Sequence, residues 1–424
     1  MKVLHISTTD LGGAGLAAIR FHEALLQEGF ESSILFLEKN RYNGLNSFIF
    51  KGRSKTELQL PSQPVLTLKN YFKEKFFYSY TNRYNQILSE INKNKEFQDR
   101  INKDSHTKFE VFSPPFSLYD VTESQCYKDA DIIHLHWISG FVDFESFFRI
   151  NKKPVFCSLH DEYLLLGAFH FELDSERNIE EYGELDKSYS LTKQNAILHS
   201  SSKITFISGA DWLMNKLSNH PLKDINREKV FYPVKRSLYR FIEKNTAKSL
   251  LNLPSNKPIV LFAAGNVSNY RKGFDLLLPL ISDPAFSHVH FLVMGLLTFE
   301  IQCDNITVLG KISDELLMPI LYASADYYVL PSRAEGFSYG MSEALCCGTP
   351  VIAFDVADHK SFLEKNAFGA IAENLNSDSL KQTLLNCIND KNAFDNQYIA
   401  INSIKYLDSS IVAKRLISVY NTNS

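Results

Sequence analysis

Two acidic side chains flank a short run that can bind a charged ligand through its backbone. The run reads PSRAEGFSYGMSEALCCGTP and follows a strand-like stretch, and a helix is expected to begin near Phe337 or Ser338. The free N–H groups of its first turn can bind a diphosphate. Glu335 lies just before the helix and can accept hydrogen bonds from sugar hydroxyls, while Glu343, about one and a half turns further in, can reach ribose hydroxyls. The alternative is an ordinary helix start capped by Glu335, with Glu343 exposed.

A glycine-rich loop near the N-terminus is a second candidate for phosphate binding. Asp10–Gly15 (DLGGAG) lies between a strand-like run and an apolar helix, where glycines let a backbone approach a phosphate. Gly13–Ala18 also fits the G-x-G-x-x-A pattern of dinucleotide binding, and Glu38 follows about 20 residues later. That pattern requires its first glycine directly after the strand, whereas here Thr8–Gly12 intervene. Nicotinamide binding is therefore the weaker interpretation.

Two groups of residues have the donor atoms of a metal site. Asp129 and Asp131 form a D-x-D sequence, but they precede the strand IIHLHW, so a helix cap or a solvated turn explains them better. His134 and His136 alternate to one face of that strand, and His160 ends the next one, as a hydrolase metal site would need. Histidines buried in a sheet beside a cleft are commoner. We therefore expect no metal and no resident cofactor.

Length and composition restrict the class of protein. A chain of 424 residues is long enough for two domains of about 200 residues each. With 45% hydrophobic and 22% charged residues it is a globular chain, neither disordered nor fibrous. A net charge of −3 argues against nucleic acid as a partner. No apolar run approaches the roughly 18 residues of a membrane span, and no signal peptide is evident, so we expect a cytoplasmic chain.

Short apolar runs alternate with helical stretches along the whole chain. The runs are near-continuous, as strands buried on both faces require. The expected strands are Lys2–Ser7, Ser33–Glu38, Asp131–Trp137, Pro154–His160, Lys203–Ser208, Ile259–Ala264, Val289–Met294, Ile306–Leu309, Ala325–Leu330 and Val351–Phe354. The expected helices are Ala14–Glu28, Lys187–Ser200, Gly273–Ile281, Ser313–Ala323 and Asp378–Ile388. This alternation predicts the α/β class, with two doubly wound domains.

We place the N-terminal domain at 1–232, the C-terminal domain at 233–408, and a last helix at 409–424 that completes the second domain or returns to the first. The first domain carries an insertion at about 51–125. Its segment Lys51–Arg100 has ten basic residues against five acidic ones and a cluster of aromatics. If this segment forms a helix, its basic residues and its aromatic face can lie on an anionic membrane surface. Aromatics at helical spacing are more often core, so we favour packing within its own domain.

The two glutamates with seven residues between them, inside PSRxEGF and EALxxGTP, resemble the signature of family-4 retaining glycosyltransferases with the GT-B fold. The likeness covers nearly the whole chain. DLGGAG resembles the family's N-terminal glycine loop, Lys272–Leu277 its K-G-x-x-x-L element, and Gly310–Ser313 with Leu321–Asp326 its base-binding region. ADIIHLHWISGF and SLHDEYLLLGAFHF resemble members that build surface polysaccharides. The resemblance implies two Rossmann-like domains that face each other across a cleft.

The resemblance also implies a donor site with residues from both domains. The implied catalytic residues are Glu335, His160, Lys272 and Arg271. The implied donor-binding residues are Gly12, Gly13, Gly336, Phe337, Ser338, Glu343 and Ile312. In this scheme Glu335 and His160 lie near the donor sugar, Glu343 contacts the ribose, and Lys272 with the backbone at 336–338 holds the diphosphate. Arg271 stands in for an arginine that the family often has where this chain has Asn266.

By the same resemblance, the protein moves a sugar from a UDP- or GDP-linked donor to a glycan or lipid-linked acceptor in surface polysaccharide biosynthesis, with retention. Arg271, Lys272 and the helix N-terminus can stabilise the negative charge of the leaving diphosphate without a metal. We expect Glu335 and Lys272 to be exposed in the cleft. A peripheral contact at the inner face of the membrane fits a lipid-linked acceptor. Two alternatives stay open, a GT-B sugar-nucleotide epimerase and an NAD-dependent oxidoreductase.

Overall fold

The computed structural model of the chain describes residues 1–52, 89, 109–390 and 392–424. Within these residues the strands form two separate sheets. The first contains β1 (Lys2–Thr9), β2 (Glu31–Glu38), β3 (Ser47–Ile49), β4 (Ile132–Leu135), β5 (Val155–Ser158), β6 (Ile204–Ser208) and β7 (Asn226–Lys229). The second contains β8 (Ile259–Asn266), β9 (His290–Leu296), β10 (Ile306–Gly310), β11 (Tyr327–Leu330), β12 (Val351–Phe354) and β13 (Gly369–Ala372).

Both sheets are parallel throughout the described residues. The strand order is β3-β2-β1-β4-β5-β6-β7 in the first and β10-β9-β8-β11-β12-β13 in the second. In each sheet the order of the strands reverses at one strand, β1 or β8. A crevice opens beyond the carboxyl ends of the strands at such a reversal. The prediction of two doubly wound α/β units is confirmed.

Helices connect the strands, as parallel pairing requires. The α-helices in the described residues are α1 (Gly12–Gln27), α2 (Gln125–Asp129), α3 (Phe144–Ile150), α4 (Glu172–Arg177), α5 (Ile179–Leu198), α6 (Asp211–Lys216), α7 (Lys244–Leu250), α8 (Phe274–Ile281), α9 (Met318–Ser324), α10 (Tyr339–Cys346), α11 (His359–Leu363), α12 (Ser377–Asn389), α13 (Asn396–Leu407) and α14 (Ser409–Asn423). Short 3₁₀ turns lie at Val121–Glu123, Leu217–Asn219, Tyr270–Lys272 and Pro284–Phe286.

Successive residues of a strand enter different hydrophobic clusters. Leu4 and Ile6 of β1 pack on one face of the first sheet, and Val3 packs on the other. In the second sheet, Leu261 and Val260 divide in the same way. Because both faces of each strand are buried, the strands appear in the sequence as continuous apolar runs.

The ten expected strands are all present, and the structure has three further strands. β3 has three residues, β7 is polar and mostly exposed at the sheet edge, and β13 is a short GAIA run. The helix predicted at Ser313–Ala323 begins only at Met318. Pro319 lies in its first turn, where the fixed backbone angle of proline favours a helix start.

The last helix, α14, packs against the first sheet, although it follows the second sheet in the chain. Val419 and Tyr420 share a cluster with Val3, Phe21 and Phe156. The domain boundary near residue 232 stays a prediction. The basic and aromatic part of the predicted insertion lies outside the described residues. None of the described helices has the length and apolar character that crossing a membrane requires.

Candidate functional site

A cavity of about 680 Å³ lies between the carboxyl ends of the two sheets. Ten of the eleven residues that the sequence singles out line it, and these are Gly12, Gly13, His160, Arg271, Lys272, Ile312, Glu335, Gly336, Phe337 and Ser338. They come from both sheets and from segments more than 300 positions apart in the chain. The remaining residue, Glu343, lies behind the cavity wall.

The carboxylate of Glu335 lies at the centre of a buried cluster of charges. Lys272 Nζ is 2.6 Å from Oε1 and Arg271 Nη1 is 3.5 Å from Oε2. Ser332 Oγ donates to Oε1 at 2.8 Å. Burial raises the pKa of Glu335, but Lys272 and Arg271 outweigh burial and lower the pKa to about 2. Because Glu335 is only 6% exposed, the expectation of an exposed side chain is wrong; two cations let the carboxylate stay charged inside the wall.

The 3₁₀ turn Tyr270–Lys272 directs both cations into the cavity. The side chain of Asn269 accepts a hydrogen bond from the backbone N–H of Arg271 at 2.9 Å and so caps the turn. Gly273 follows with a φ of 68°, and a Cβ there would lie 1.8 Å from the carbonyl oxygen of Pro331. Glycine is required because only it fits both this backbone angle and this close approach.

Arg271 connects the two halves of the molecule. Its Nε lies 2.7 Å from the carboxylate of Glu110, and its guanidinium carbon is 4.2 Å from the ring centroid of Phe171. Nη1 donates to the carbonyl oxygen of Ala334 at 2.9 Å. Burial raises the pKa of Glu110, but Arg271 outweighs burial and lowers it. Burial, followed by the charge of Arg271, lowers the pKa of Lys272.

Helix α10 begins at the cavity wall with a side-chain cap. Ser338 Oγ accepts a hydrogen bond from the N–H of Met341 at 3.3 Å. The backbone N–H groups of Gly336, Phe337 and Ser338 find no acceptor within the described part of the chain. A Cβ on Gly336 would lie 1.8 Å from the carbonyl oxygen of His160, so a glycine lets the two domains meet here. Trp212 Nε1 donates to the carbonyl oxygen of Gly336 at 3.1 Å and holds this segment from the other side.

The carboxylate of Glu343 is engaged by two partners. Arg20 Nη2 lies 2.6 Å from Oε1, and the hydroxyl of Tyr322 donates to Oε2 at 3.0 Å. Tyr322 lines the cavity, so Glu343 lies one side chain behind the wall. The guanidinium of Arg20 also packs over the ring of Tyr339, 4.8 Å from its centroid. The contact of Glu343 with a ribose stays a prediction.

Hydrogen bonds to the side chain of Asp10 hold the N-terminal glycine loop in place. The Asp10 carboxylate accepts hydrogen bonds from the backbone N–H groups of residues 40–42 at 2.6–3.0 Å. Burial raises its pKa, but these hydrogen bonds outweigh burial and lower it. A Cβ on Gly15 would lie 2.6 Å from the carbonyl oxygen of Thr9, whereas none of the described atoms comes within 4 Å of one on Gly13. Gly15 therefore serves packing, and Gly13 leaves open space at the cavity.

Sequence reasoning missed part of the wall that the first domain contributes. Trp137 and His170 stack with ring centroids 4.3 Å apart, and Tyr163 stacks on the other face of His170 at 4.6 Å. His170 Nδ1 lies 2.7 Å from the Asp161 carboxylate, which holds the imidazole in place. Glu110 was missed as well, because its partner Arg271 is 161 positions away. Trp137 and His170 lie in the two motifs ADIIHLHWISGF and SLHDEYLLLGAFHF. No motif in the sequence around Glu110 marks it as a site residue.

The residues considered for a metal have other partners. His5, His134 and His136 bring one nitrogen each within 4.8 Å of one another. Five of their six ring nitrogens make hydrogen bonds, and His5 Nε2 alone among them has no partner in the described residues. Asp131 accepts a hydrogen bond from the backbone N–H of Lys2 at 2.8 Å, at the amino end of the sheet and away from the cavity.

Residues 257–390 match the family model described as Glycosyl transferases group 1. An uncharacterized glycosyltransferase of Methanocaldococcus jannaschii is 30% identical over 129 residues, which cover 28% of this chain and 36% of the relative. A phosphatidyl-myo-inositol mannosyltransferase of Mycobacterium leprae is 26% identical over 190 residues, which cover 42% of this chain and 50% of the relative. The chain thus spans half or less of the curated relatives that it matches. All six strands of the second sheet lie within the residues that match this model.

Similarity to solved structures extends over both sheets. Sucrose-phosphate synthase from Thermosynechococcus elongatus has a TM-score of 0.66 at 15% identity, with 100% of this chain and 99% of that chain covered. HepE of Anabaena in complex with UDP and glucose has a TM-score of 0.64 at 14% identity, with 100% of both chains covered. WaaG, a glycosyltransferase involved in lipopolysaccharide biosynthesis, has a TM-score of 0.58 at 12% identity, with 100% of this chain and 99% of that chain covered. The chain has the GT-B fold. In a GT-B protein the cavity between the sheets is the interdomain cleft.

Proposed function

We propose that the protein is a retaining glycosyltransferase that transfers a sugar from a nucleoside-diphosphate donor to a glycan or lipid-linked acceptor. The observation that carries this proposal is the cluster of Glu335, Lys272 and Arg271 beside the open N-terminus of α10, inside the cleft of a GT-B fold. Cations and free N–H groups together suit a diphosphate, and a carboxylate beside them suits sugar hydroxyls.

The chemistry follows from where charge develops. Cleavage of the bond between the anomeric carbon and the diphosphate leaves negative charge on the departing oxygens. Lys272, Arg271 and the α10 N-terminus line the cleft together, so groups in this arrangement would stabilise that charge without reorganising. Glu335 is bound by two cations and is therefore a poor nucleophile. Retention then fits attack by the acceptor hydroxyl on the face that the diphosphate leaves, with a diphosphate oxygen taking the proton.

The donor and the acceptor are proposed from different kinds of support. HepE was solved with UDP and glucose, which makes UDP the first nucleotide to test; GDP is the second. The Mycobacterium leprae relative is named for phosphatidyl-myo-inositol, and WaaG is involved in lipopolysaccharide biosynthesis. Both names support a lipid-linked or surface glycan as the acceptor, and with it a peripheral contact with the inner face of the membrane. None of the relatives named here is an epimerase or an NAD-dependent oxidoreductase.

Thermal unfolding with nucleoside diphosphates tests the proposal. A ligand at 100 times its Kd stabilises the folded state by about 2.7 kcal/mol, which is a measurable rise in Tm. We expect UDP or GDP to raise Tm equally with and without EDTA, and NAD to leave it unchanged. A rise with NAD alone would favour the oxidoreductase. Turnover of UDP-sugar in the absence of an acceptor would favour the epimerase.

A further inference from the structure

Three histidines from neighbouring strands lie in series behind the cleft. His160, at the end of β5, lines the cleft wall and is half-buried. Its Nε2 lies 3.1 Å from Nδ1 of His136, which follows β4. His136 Nε2 in turn lies 2.9 Å from Nδ1 of His5, on β1. His5 and His136 are buried. The planes of adjacent rings lie within 30° of each other, so the proton shared between two rings can lie close to both ring planes.

All three imidazoles are neutral near pH 7. Burial lowers the pKa of His5 and His136 well below the ordinary value, and nearby histidines lower it further. Burial also lowers the pKa of His160, to about 4, against the opposing effect of Asp161. A neutral imidazole has one N–H and one lone pair. In a series of such rings, the direction of one hydrogen bond therefore sets the direction of the next.

Two directions are available, and they differ at both ends of the series. If protons point from His160 toward His5, His160 Nδ1 is a lone pair and His5 Nε2 is an N–H. If they point from His5 toward His160, His5 Nε2 is a lone pair and His160 Nδ1 carries the proton. His160 Nδ1 has no partner within the described part of the chain, so it is the ring nitrogen left for a ligand.

The buried end decides between them. His5 Nε2 is buried and has no hydrogen-bond partner among the described residues. Among buried backbone groups, an N–H without an acceptor is rarer than an acceptor short of a donor, and we apply the same order to the ring nitrogens. The cheaper arrangement leaves the lone pair at His5 Nε2. The protons then point from His5 through His136 to His160.

We infer that His5 and His136 are positioning residues that set the tautomer of His160, so that its Nδ1 donates a hydrogen bond into the cleft. With the proposed function as its basis, this names the ligand atom as an oxygen of the donor sugar. It also excludes His160 as the base that takes the acceptor's proton, because that nitrogen is already protonated. This role suits the proposed transfer, in which the departing diphosphate takes the proton.

Nitrogen-15 spectra of histidine-labelled protein test the tautomer directly, before any ligand is added. Two-bond couplings between ring nitrogens and carbon-bound protons identify which nitrogen carries hydrogen, and His160→Asn assigns the signal. We expect His160 to be neutral with the proton on Nδ1 at pH 7.5. A proton on Nε2, or an imidazolium, would overturn the inference. Stoichiometric zinc in the purified protein would also overturn it, because the His5 and His136 nitrogens would then bind metal.

A matched set of variants tests the role. In His5→Asn the amide nitrogen overlays the Nδ1 position and can still donate to His136, whereas His5→Leu has similar size and no donor. We expect His5→Leu to lower kcat about tenfold and to give a mixture of His160 tautomers, and His5→Asn to retain most of both. His290→Leu is the control, because His290 lies on β9 of the other sheet and hydrogen-bonds to Thr307.

The possible results separate this inference from the proposed function. Equal kcat values in His5→Leu and the unchanged protein, or an equal loss in His5→Asn and His5→Leu, would overturn the positioning role. Absence of any UDP or GDP binding would overturn the proposed function, and the nitrogen-15 spectra would still decide the tautomer of His160.

Discussion

Arg20 on α1 and Glu343 on α10 form an ion pair across the two domains, with 2.6 Å between nitrogen and oxygen. Each side chain is about 5% exposed. Both helices begin at the cleft, α1 at Gly12 and α10 at Tyr339. The pair therefore fixes the position of one helix relative to the other. It also fixes the width of the gap between their N-termini, where a ligand would bind.

Arg20→Met should lower the free energy of unfolding by about 3–5 kcal/mol, because it leaves the Glu343 carboxylate buried without its counterion. Adding Glu343→Met should restore most of that loss, since the uncompensated charge is then gone. Urea unfolding of both single variants and the double variant measures the effect. Arg415→Met, which breaks the exposed pair with Glu228, is the control and should cost less than about 1 kcal/mol. An equal loss in Arg20→Met and Arg415→Met would contradict the prediction.

Glu343→Gln should weaken binding of UDP about tenfold if this carboxylate reaches the ribose, because a hydrogen bond to a charged group contributes about 1.5–3 kcal/mol. A nucleotide that lacks both ribose hydroxyls should bind the variant and the unchanged protein equally. Isothermal titration with the two nucleotides measures the difference. Equal weakening for both would mean that Glu343 acts only through its pair with Arg20.

Glu110→Gln should tighten diphosphate binding by several-fold. The Glu110 carboxylate lies 2.7 Å from Arg271 and competes with a phosphate for the same guanidinium, and removing the charge ends that competition. Titration with UDP at low salt measures the change. Asp275→Asn, which instead removes the exposed carboxylate beside Arg333, is the matched control and should leave the affinity unchanged. Weaker UDP binding in Glu110→Gln would show that the Glu110–Arg271 pair helps to build the site.

The stabilising effect of Glu335 should depend on pH in a narrow acidic range. Its pKa is lowered to about 2 in the folded protein, against about 4.3 in the unfolded chain. Its contribution is therefore full above about pH 4.3 and is lost as pH falls toward 2. The difference in unfolding free energy between the unchanged protein and Glu335→Gln should be constant from about pH 5 to 8 and shrink below. When Lys272→Met is present in both proteins, this difference in unfolding free energy should begin to shrink at a higher pH. An unchanged pH would contradict the pairing of Lys272 with Glu335.

Lys272→Met should lower kcat about 10²–10³-fold, since it removes a preplaced charge from the departing diphosphate. The transfer assay uses the donor nucleotide identified by thermal unfolding and a glycan that accepts sugar from it. Lys381→Met, which breaks a partly exposed pair with Asp283 in the same domain, is the control and should keep full activity. Similar activity in both variants would remove Lys272 from the site.

The sequence alone determined the fold class and ten of the residues that line the cleft. Buried parallel strands must be apolar along their whole length, so each of them appears as a local run. A helix N-terminus beside a cleft has a local pattern too, and Ser338 caps α10 where the motif places the helix start. Ten of the eleven singled-out residues line the cleft for this reason: they lie at strand ends and helix beginnings, which a doubly wound sheet brings to one edge.

Only the tertiary structure decided which side chains pair at the cleft and behind its wall. Arg20 with Glu343, Glu110 with Arg271, and His5 with His136 lie 323, 161 and 131 positions apart. No local pattern predicts such contacts, because they depend on how the two domains pack and on which strands become neighbours. Packing within the second domain placed Glu335 between two cations, and α14 returned to the first sheet. Local sequence sets the elements, whereas the energies of these long-range pairs depend on burial that exists only once the domains have docked.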